Sequence, residues 1–291
     1  MDTREILKKV RLIEIKTRGM VNHIFSGEYH SVFKGRGMEF SEVREYQVGD
    51  DIRSIDWNVS ARFNHPFVKV FEEERELTVM LVVDFSRSGE FGSGKQLKNE
   101  IAAEICAVLA FSAIKNNDKV GLILFTDRIE KFVPPKKGRA HILRIIRELI
   151  SLQPEGSKTN IRAALEYFHH VNKKRSIAFL ISDFIDEGYE KILRIISRKH
   201  DVIAVEISDP RETHIVDIGL VKLRDAESGH ERWIDTSNPV LRQEVRNYWQ
   251  RRAAARRELF VRSRVDQIPI VIDKPYIKPI VDFFQRRERR L

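Results

Sequence analysis

Short apolar runs and longer amphipathic stretches alternate along most of the chain. The most apolar run, from Val79 to Val83, has charged residues before it and the polar residues Asp84, Ser86 and Ser88 after it, which is typical of a buried strand. Similar runs predict strands at 119–126, 176–183, 202–207 and 268–272, and a 3.6-residue period predicts helices at about 95–117, 140–152, 160–172, 189–199 and 239–261. Strands that alternate with helices predict an α/β fold, with a central, mostly parallel sheet and helices on both faces.

Three further segments complete the predicted fold. Residues 129–133 are expected to pair with the preceding strand as an antiparallel hairpin that ends at Pro134 and Pro135. The charged segment 219–233 predicts a second hairpin that turns near Glu227, and an arginine-rich helix closes the chain.

The first quarter of the chain has a different pattern. A helix is predicted at about 4–25, strands and turns at 26–37, and a strand at 67–71. Between them, residues 35–62 mix charges of both signs with Phe, Tyr, Ile and Trp. We therefore predict an N-terminal helix and small β-rich extension over residues 1–75, followed by the α/β domain over residues 76–291.

Composition and charge indicate the cellular compartment and the kind of partner. The single cysteine, Cys106, lies in an apolar helical pattern and predicts a buried structural thiol in a reducing compartment. Neither a signal-peptide pattern nor a membrane-spanning run is visible, so we expect a cytoplasmic protein. The net charge is +9, and residues 239–291 hold fourteen Lys and Arg against six Asp and Glu, which permits an acidic partner.

Polar residues at the ends of two predicted strands are the candidate site. Asp84, Ser86 and Ser88 are expected to project to one side because extended chain repeats every two residues. Asp183 ends another apolar strand, and Thr159 precedes the helix before that strand. The carboxyl ends of parallel strands are where such sheets bind ligands, and hard oxygen donors suit Mg²⁺. Each residue also has an ordinary alternative role: the serines in a turn, Thr159 as a helix cap and Asp183 at the start of a turn.

These motifs resemble a known family. Asp84-Phe-Ser86-Arg-Ser88, Thr159 in Gly-Ser-Lys-Thr-Asn-Ile-Arg, and Ile181-Ser-Asp183 look like the metal-ion-dependent adhesion site of von Willebrand factor type A domains. Segment 35–62 is similar to the signature of a bacterial family in that superfamily, called domain of unknown function fifty-eight. The signature residues are Arg44, Tyr46, Gly49, Asp50, Asp51, Arg53, Asp56, Trp57 and Arg62.

The resemblance carries specific expectations. It implies a Rossmann-like type A domain with an N-terminal extension, Mg²⁺ or Mn²⁺ as the cofactor, and a MoxR-type AAA+ ATPase and its client as partners in a chaperone-like role. The leading hypothesis is therefore a non-enzymatic interaction module whose metal accepts an acidic side chain of a partner. Phe85, Arg87 and Phe184 are expected at the rim of the site. The chain departs from the family pattern at Gly89, where many type A domains have Met, and at Phe184, where Gly is usual.

The acidic residues of the signature segment also have a catalytic interpretation. Asp50, Asp51 and Asp56 carry the charge that an acid or base would need. We expect them instead to form ion pairs and caps in a compact module with its aromatic side chains packed beneath, because no histidine or nucleophile accompanies them.

Two other classes of function remain as alternatives. Gly89 to Lys95 has the Gly-x₄-Gly-Lys spacing of a phosphate-binding loop and would suit a nucleotide-binding enzyme or Mg²⁺-dependent hydrolase, but Gln96 stands where Ser or Thr should hold the metal. The basic C-terminal helix would suit nucleic acid or an acidic protein, although no reader motif accompanies it. Its arginines are Arg251, Arg252, Arg256, Arg257, Arg262 and Arg264. The histidines, including His169 and His170, lack the spacing of a zinc site.

Overall fold

A computed structural model describes residues 3–24, 38–73, 76–90, 97–224 and 230–290. The strands are β1 Met38–Glu45, β2 Phe67–Glu73, β3 Thr78–Asp84, β4 Lys119–Phe125, β5 Ile129–Lys136, β6 Ile177–Ser182, β7 Asp201–Ser208, β8 Leu220–Arg224, β9 Glu231–Asp235 and β10 Asp266–Val271. The helices are α1 Thr3–Ile24, α2 Trp57–Phe63, α3 Lys98–Lys115, α4 Arg139–Ser151, α5 Ile161–Val171, α6 Glu190–Lys199, α7 Pro210–Thr213, α8 Pro239–Arg262 and α9 Ile277–Glu288.

The central sheet has six strands in the order β10-β7-β6-β3-β4-β5. Its strands run parallel except β5, which pairs antiparallel with β4 at one edge. The chain enters at β3, continues to β4 and β5 on one side, and then crosses to β6 on the other. The order therefore reverses beside β3, and the carboxyl end of β3 lies at the point where such sheets bind ligands.

Two hydrophobic cores cover the two faces of this sheet. Alternate side chains of β3 point to opposite faces, so Val79, Leu81 and Val83 join one core and Met80 and Val82 join the other. The first core is built with α1, α3, α4 and α9, and the second with α5, α6 and α8. The predicted parallel sheet with helices on both faces is confirmed, and burial on both faces explains why β3 reads as a continuous apolar run.

Helix α1 is attached to the α/β domain by apolar and polar contacts. Val10 belongs to the first core. Lys16 donates to Glu104 of α3 at 2.5 Å, and the hydroxyl of Tyr276 donates to the same carboxylate at 2.5 Å. Arg139 of α4 forms an ion pair with Glu14 at 2.6 Å. The N-terminal helix therefore packs on α3 and α4, in the helical layer that covers one face of the sheet.

The signature segment forms a small module of its own. Strands β1 and β2 form an antiparallel pair, and Asp56 caps α2 between them through the N–H groups of Asn58 and Val59. The expectation that the aromatic side chains of segment 35–62 pack beneath the module is wrong for Trp57, which is 68% exposed, and the neighbouring Phe63 is 63% exposed. Ile52 and Val48 are also exposed.

The edge strand corrects one further prediction. β5 continues through Pro134 and Pro135 to Lys136 instead of ending at the prolines. Proline is tolerated there because an edge strand has one side without a neighbouring strand. The expected strands and turns at 26–37 and the turn near Glu227 lie outside the described residues. No helix among those residues is both long and apolar enough to cross a membrane.

We expect the Tyr276→Phe variant to lower the free energy of unfolding by roughly 1–3 kcal/mol, because it removes a hydrogen bond to a buried carboxylate. Urea denaturation measures this change. Tyr167→Phe, which removes the hydroxyl of a half-buried ring on α5 that packs against Phe132, is the matched control and should change stability less. An unchanged denaturation midpoint for Tyr276→Phe would contradict the importance of the Glu104 contact.

Candidate metal centre

A tight turn gathers the polar side chains after β3. The N–H of Ser86 donates to Asp84 Oδ1 at 3.0 Å, and the hydroxyls of Ser86 and Ser88 lie 2.9 Å apart. The chain leaves the extended conformation after Asp84 and enters a short helical turn over Arg87–Glu90. Asp84, Ser86 and Ser88 are therefore brought together by this turn. The sequence-based prediction had instead placed them on one side through the two-residue repeat of an extended strand.

The end of β6 supplies the second carboxylate. The hydroxyl of Ser182 donates to Asp84 Oδ2 at 2.6 Å, so the two strand ends are joined by a side-chain hydrogen bond. Asp183 Oδ1 accepts from the N–H of Ile185 at 3.1 Å. Asp84 and Asp183 line the same small cavity of about 20 Å³, which is roughly the space of one water molecule.

Lys98 is the site residue that the sequence interpretation missed. Its ammonium lies 3.1 Å from Asp183 Oδ2, also bonds Glu212 of α7, and is only 4% exposed. Lys98 begins α3 and sits in register with the apolar positions Ile101, Ala102 and Ile105 of that helix. A lysine in line with a buried helical stripe is the sequence signal that could have revealed it.

The loop that carries Thr159 is attached to two strand ends. The N–H of Arg87 donates to the carbonyl of Ser157 at 3.2 Å, and the N–H of Asn160 donates to the carbonyl of Thr126 at 2.9 Å. Asn160, and not Thr159, caps α5 by accepting from the N–H of Ala163. These contacts hold the half-buried Thr159 in a loop beside the turn after β3.

Burial and mutual repulsion determine the electrostatics of the cavity. Burial, reinforced by the charge of Asp183, raises the pKa of Asp84 to about 7, against the opposing effect of its hydrogen bonds. Burial also raises the pKa of Glu212, an effect that Lys98 opposes. Burial alone would lower the pKa of Lys98, but the charges of Asp183 and Glu212 outweigh it and raise that pKa. The site therefore concentrates negative charge around one internal cation.

The predicted rim needs correction. Arg87 is exposed, whereas Phe85 and Phe184 are 6% and 1% exposed and pack into the two cores. Phe184 has φ 57°, a conformation that favours glycine, and its ring stacks edge-on against Phe260 at 5.2 Å. Burial of the ring offsets the cost of this backbone conformation, which is about 1–2 kcal/mol.

The other departure from the family pattern also has a steric reason. A Cβ atom at Gly89 would lie 2.0 Å from Asn99 Oδ1, so a larger residue requires the Asn99 side chain to move. The neighbouring Lys95 and Gln96 lie outside the described residues, and the phosphate-loop alternative therefore stays a prediction.

The acidic residues of the signature segment have structural contacts. Arg44 holds Asp50 through two hydrogen bonds of 2.7 Å, which lower the pKa of that carboxyl to about 2. Asp51 caps the turn at Arg53. Gly49, at φ 111°, allows the turn before them.

The remaining signature residues extend this description. The N–H of Tyr46 donates to the carbonyl of Pro66 at 2.8 Å, and Asp56 forms an ion pair with Lys69 at 3.4 Å. Arg53, Trp57 and Arg62 are exposed. The module is thus held by backbone and carboxylate contacts, while its largest ring faces solvent.

The donor atoms suit a hard cation. Carboxylate and hydroxyl oxygens are the ligands that Mg²⁺ prefers, and repulsion between Asp84 and Asp183 would be relieved by a cation between them. Within the described residues no group of three or more His, Cys, Asp or Glu could hold a metal ion, so hydroxyls and water would have to complete the shell.

A family model described as "Protein of unknown function DUF58" matches residues 42–258. The chain belongs to this DUF58 family. It is also 31% identical over 296 residues to the uncharacterised protein Rv1480 of Mycobacterium tuberculosis, a match that covers 99% of this chain and 92% of that protein. The protein YeaD of Bacillus subtilis is 28% identical over 109 residues, or 38% of this chain and 25% of YeaD.

Solved structures are similar at low identity. An aerotolerance-related membrane protein of Bacteroides fragilis matches with a TM-score of 0.48 and 18% identity, over 74% of this chain and 100% of that one. The SpRpn10 VWA domain matches with a TM-score of 0.38 and 13% identity, over 72% and 95%. The central, mostly parallel sheet of this DUF58 chain is established by its own strand order and pairing.

We expect the Asp84→Asn variant of this DUF58 protein to become more stable than wild type as pH rises without divalent cations. The folded pKa of Asp84 is raised, so its contribution to stability is present below about pH 4 and is lost as pH rises through about 7. The stability difference between the two proteins should grow by roughly 2–4 kcal/mol from pH 4 to pH 8.

Urea denaturation in EDTA at several pH values measures that difference. Asp282→Asn, at an exposed aspartate of α9, is the matched control and should follow wild type. Parallel curves for Asp84→Asn and wild type would show that Asp84 is not destabilised by its surroundings.

Proposed function

We propose that this chain is a non-enzymatic, metal-dependent protein-interaction module that works as an adaptor or co-chaperone with a MoxR-type AAA+ ATPase. The observation that carries the proposal is the pair of buried carboxylates, Asp84 and Asp183, which line one small cavity at neighbouring strand ends. Asp84, Ser86, Ser88, Thr159 and Asp183 would hold the ion. The ion would supply an open coordination position for an acidic side chain of the partner.

The charge balance of the cavity supports a divalent ion. Asp84, Asp183 and Lys98 line the cavity, and Glu212 joins the same cluster through its contact with Lys98, so the cluster holds three carboxylates and one ammonium. When all are ionised, the surplus is two negative charges, which Mg²⁺ or Mn²⁺ would neutralise. Burying such a surplus without a counter-ion is costly, and the raised pKa of Asp84 is the expression of that cost.

The ammonium of Lys98 would compete with a bound metal ion for Asp183. It already occupies one oxygen of Asp183, so a metal that binds there has to share or displace that contact. The site is therefore expected to bind a divalent ion more weakly than an all-oxygen site of the same donors. This would make occupancy respond to a partner that supplies a further carboxylate.

The signature module provides a second surface for the same partner. Val48, Ile52, Trp57 and Phe63 are all more than 60% exposed within one short segment. A cluster of exposed large apolar side chains is typical of an interaction surface, and aromatic residues contribute most to such interfaces.

Replacing Lys98 by Met should increase the affinity for Mn²⁺ about tenfold, since a positive charge beside Asp183 opposes a second cation by roughly 1–2 kcal/mol. Isothermal titration calorimetry measures the affinity. Lys115→Met, at an exposed lysine near the other end of α3, is the matched control and should bind Mn²⁺ like wild type.

The carboxylates supply the negative test of the same site. Asp84→Asn and Asp183→Asn should each abolish Mn²⁺ binding, with folding checked by circular dichroism. If wild type and both variants bind Mn²⁺ equally, the metal is held elsewhere and the proposed site is wrong.

Capture of a purified MoxR-type ATPase by this chain should require Mg²⁺ and should be lost in Asp84→Asn. Trp57→Ala should reduce capture at least fivefold, because it removes the largest exposed ring of the signature module. Trp233→Ala is a matched control, since Trp233 on β9 is 65% exposed against 68% for Trp57.

Two outcomes would separate the parts of this proposal. Capture that ignores both metal and Asp84→Asn would reject a metal-dependent adaptor. Equal capture by the two tryptophan variants would remove the signature module from the interface.

A further inference from the structure

A basic cavity lies at the amino ends of the strands, opposite the carboxyl ends that carry the candidate metal centre. It has a volume of about 740 Å³ and is formed where β7 and β10 begin, at Asp201 and Asp266. Asp84 and Asp183 lie instead at the carboxyl ends of β3 and β6. A second cavity of about 540 Å³ shares Arg264, Asp266, Arg287 and Arg290 with the first.

The lining of the first cavity is strongly positive. Seven arginines line it, against two aspartates. Arg287 pairs with Asp201, and Arg290 lies 3.4 Å from Asp266, so the aspartates neutralise only part of this charge. Within the part of the chain that the structure describes, Arg198 and Arg264 are exposed and have no carboxylate partner.

Helix ends account for some of the basic residues. Arg198 lies in the last turn of α6, Arg262 ends α8 and Arg287 lies in the last turn of α9, where the partial negative charge of a helix favours cations. Each helix end supplies only about half a negative charge. Glu258 also pairs with Arg262, so three helix ends and three carboxylates offset only part of the charge of the seven arginines, and a net positive charge of about two to three remains around the cavity.

Two buried polar atoms at this cavity also have no partner. Ser263 and His200, which line it, are 4% and 3% exposed. Among the described residues, neither Ser263 Oγ nor His200 Nε2 has a hydrogen-bond partner. His200 Nδ1 already bonds the hydroxyl of Ser176 at 2.9 Å, which leaves Nε2 for a ligand. Buried polar groups of this kind are normally satisfied, so each marks a place for an absent partner.

We propose that this cavity binds a small molecule carrying two or more linked phosphate groups. Arginine guanidinium groups bind phosphate oxygens in pairs, and several of them converge on one concave surface. The Ser263 hydroxyl and the His200 ring would complete the polar contacts. The cavity volume lies in the usual range for small-molecule sites. This site is independent of the metal centre and of the proposed adaptor function.

Binding of inorganic tripolyphosphate, measured by isothermal titration calorimetry at fixed ionic strength, tests the proposal. We expect binding that the double variant Arg198→Ala, Arg264→Gly weakens at least tenfold. Arg264 has φ 55°, a conformation that glycine adopts without strain, so this replacement should leave the fold intact. The double variant Arg246→Ala, Arg251→Ala removes two exposed arginines of α8 outside the cavity and is the matched control.

Ser263→Ala is a second variant, which should weaken ligand binding without lowering the stability of the free protein. It removes a buried hydroxyl that has no partner, so the free protein should be at least as stable as wild type in thermal unfolding. Tripolyphosphate should nevertheless bind several-fold more weakly and raise the unfolding temperature less than in wild type.

Several results would overturn the proposal. No binding of tripolyphosphate would leave the arginines as helix-end and surface charges. Equal weakening in both double variants would show general attraction of anions. Retention of a single-stranded oligonucleotide, or of vesicles containing phosphatidic acid, without binding of tripolyphosphate would assign the basic surface to a macromolecule or a membrane.

Discussion

Repulsion between two buried carboxylates is the constraint on which the candidate site depends. Asp84 and Asp183 are each 8% exposed and line one cavity, because β3 and β6 are neighbours and end at the same edge of the sheet. Burial makes each charge expensive, and proximity makes the pair more so. The surrounding groups can be understood as responses to this cost: Ser182 donates a hydrogen bond, and Lys98 supplies a positive charge.

The sheet makes this arrangement unavoidable once its order is set. A strand between two parallel neighbours, buried on both faces, has little freedom to slide or turn, so its terminal carboxylate is held in place. The loops around it are less constrained by the sheet itself. They are held by backbone contacts instead, as between Arg87 and Ser157 and between Asn160 and Thr126. A rigid scaffold with short, hydrogen-bonded loops gives the preorganisation that coordination of an ion requires.

Much of the fold followed from sequence pattern, and the reasons for the misses are physical. Apolar runs such as 79–83 identify core strands because burial on both faces removes polar residues, and the helices show their period for the same reason. The end of β5 was predicted too early, at Pro134 and Pro135. A strand can continue through proline when it lies at an edge of the sheet, and only the sheet order reveals that β5 does. The exposure of Trp57 was not predicted, because a large aromatic ring is normally buried within its own chain. Lys98 and Glu212 are 114 residues apart, and no local pattern connects them.

The two ends of the parallel strands carry opposite charge, and this difference has a structural basis. The carboxyl ends of β3 and β6 carry Asp84 and Asp183, whereas the opposite end of the sheet carries the helix C-termini with Arg198 and Arg262. Cations are favoured at helix C-termini, so a basic end of the sheet is consistent with the fold alone. The left-handed conformation of Arg264 is the usual end of a helix, but helix ends do not explain the buried Ser263 hydroxyl, which has no partner among the described residues. An unpaired buried hydroxyl has a stability cost, and Ser263 lines the same cavity as the arginines, so the helix ends alone do not account for this end of the sheet.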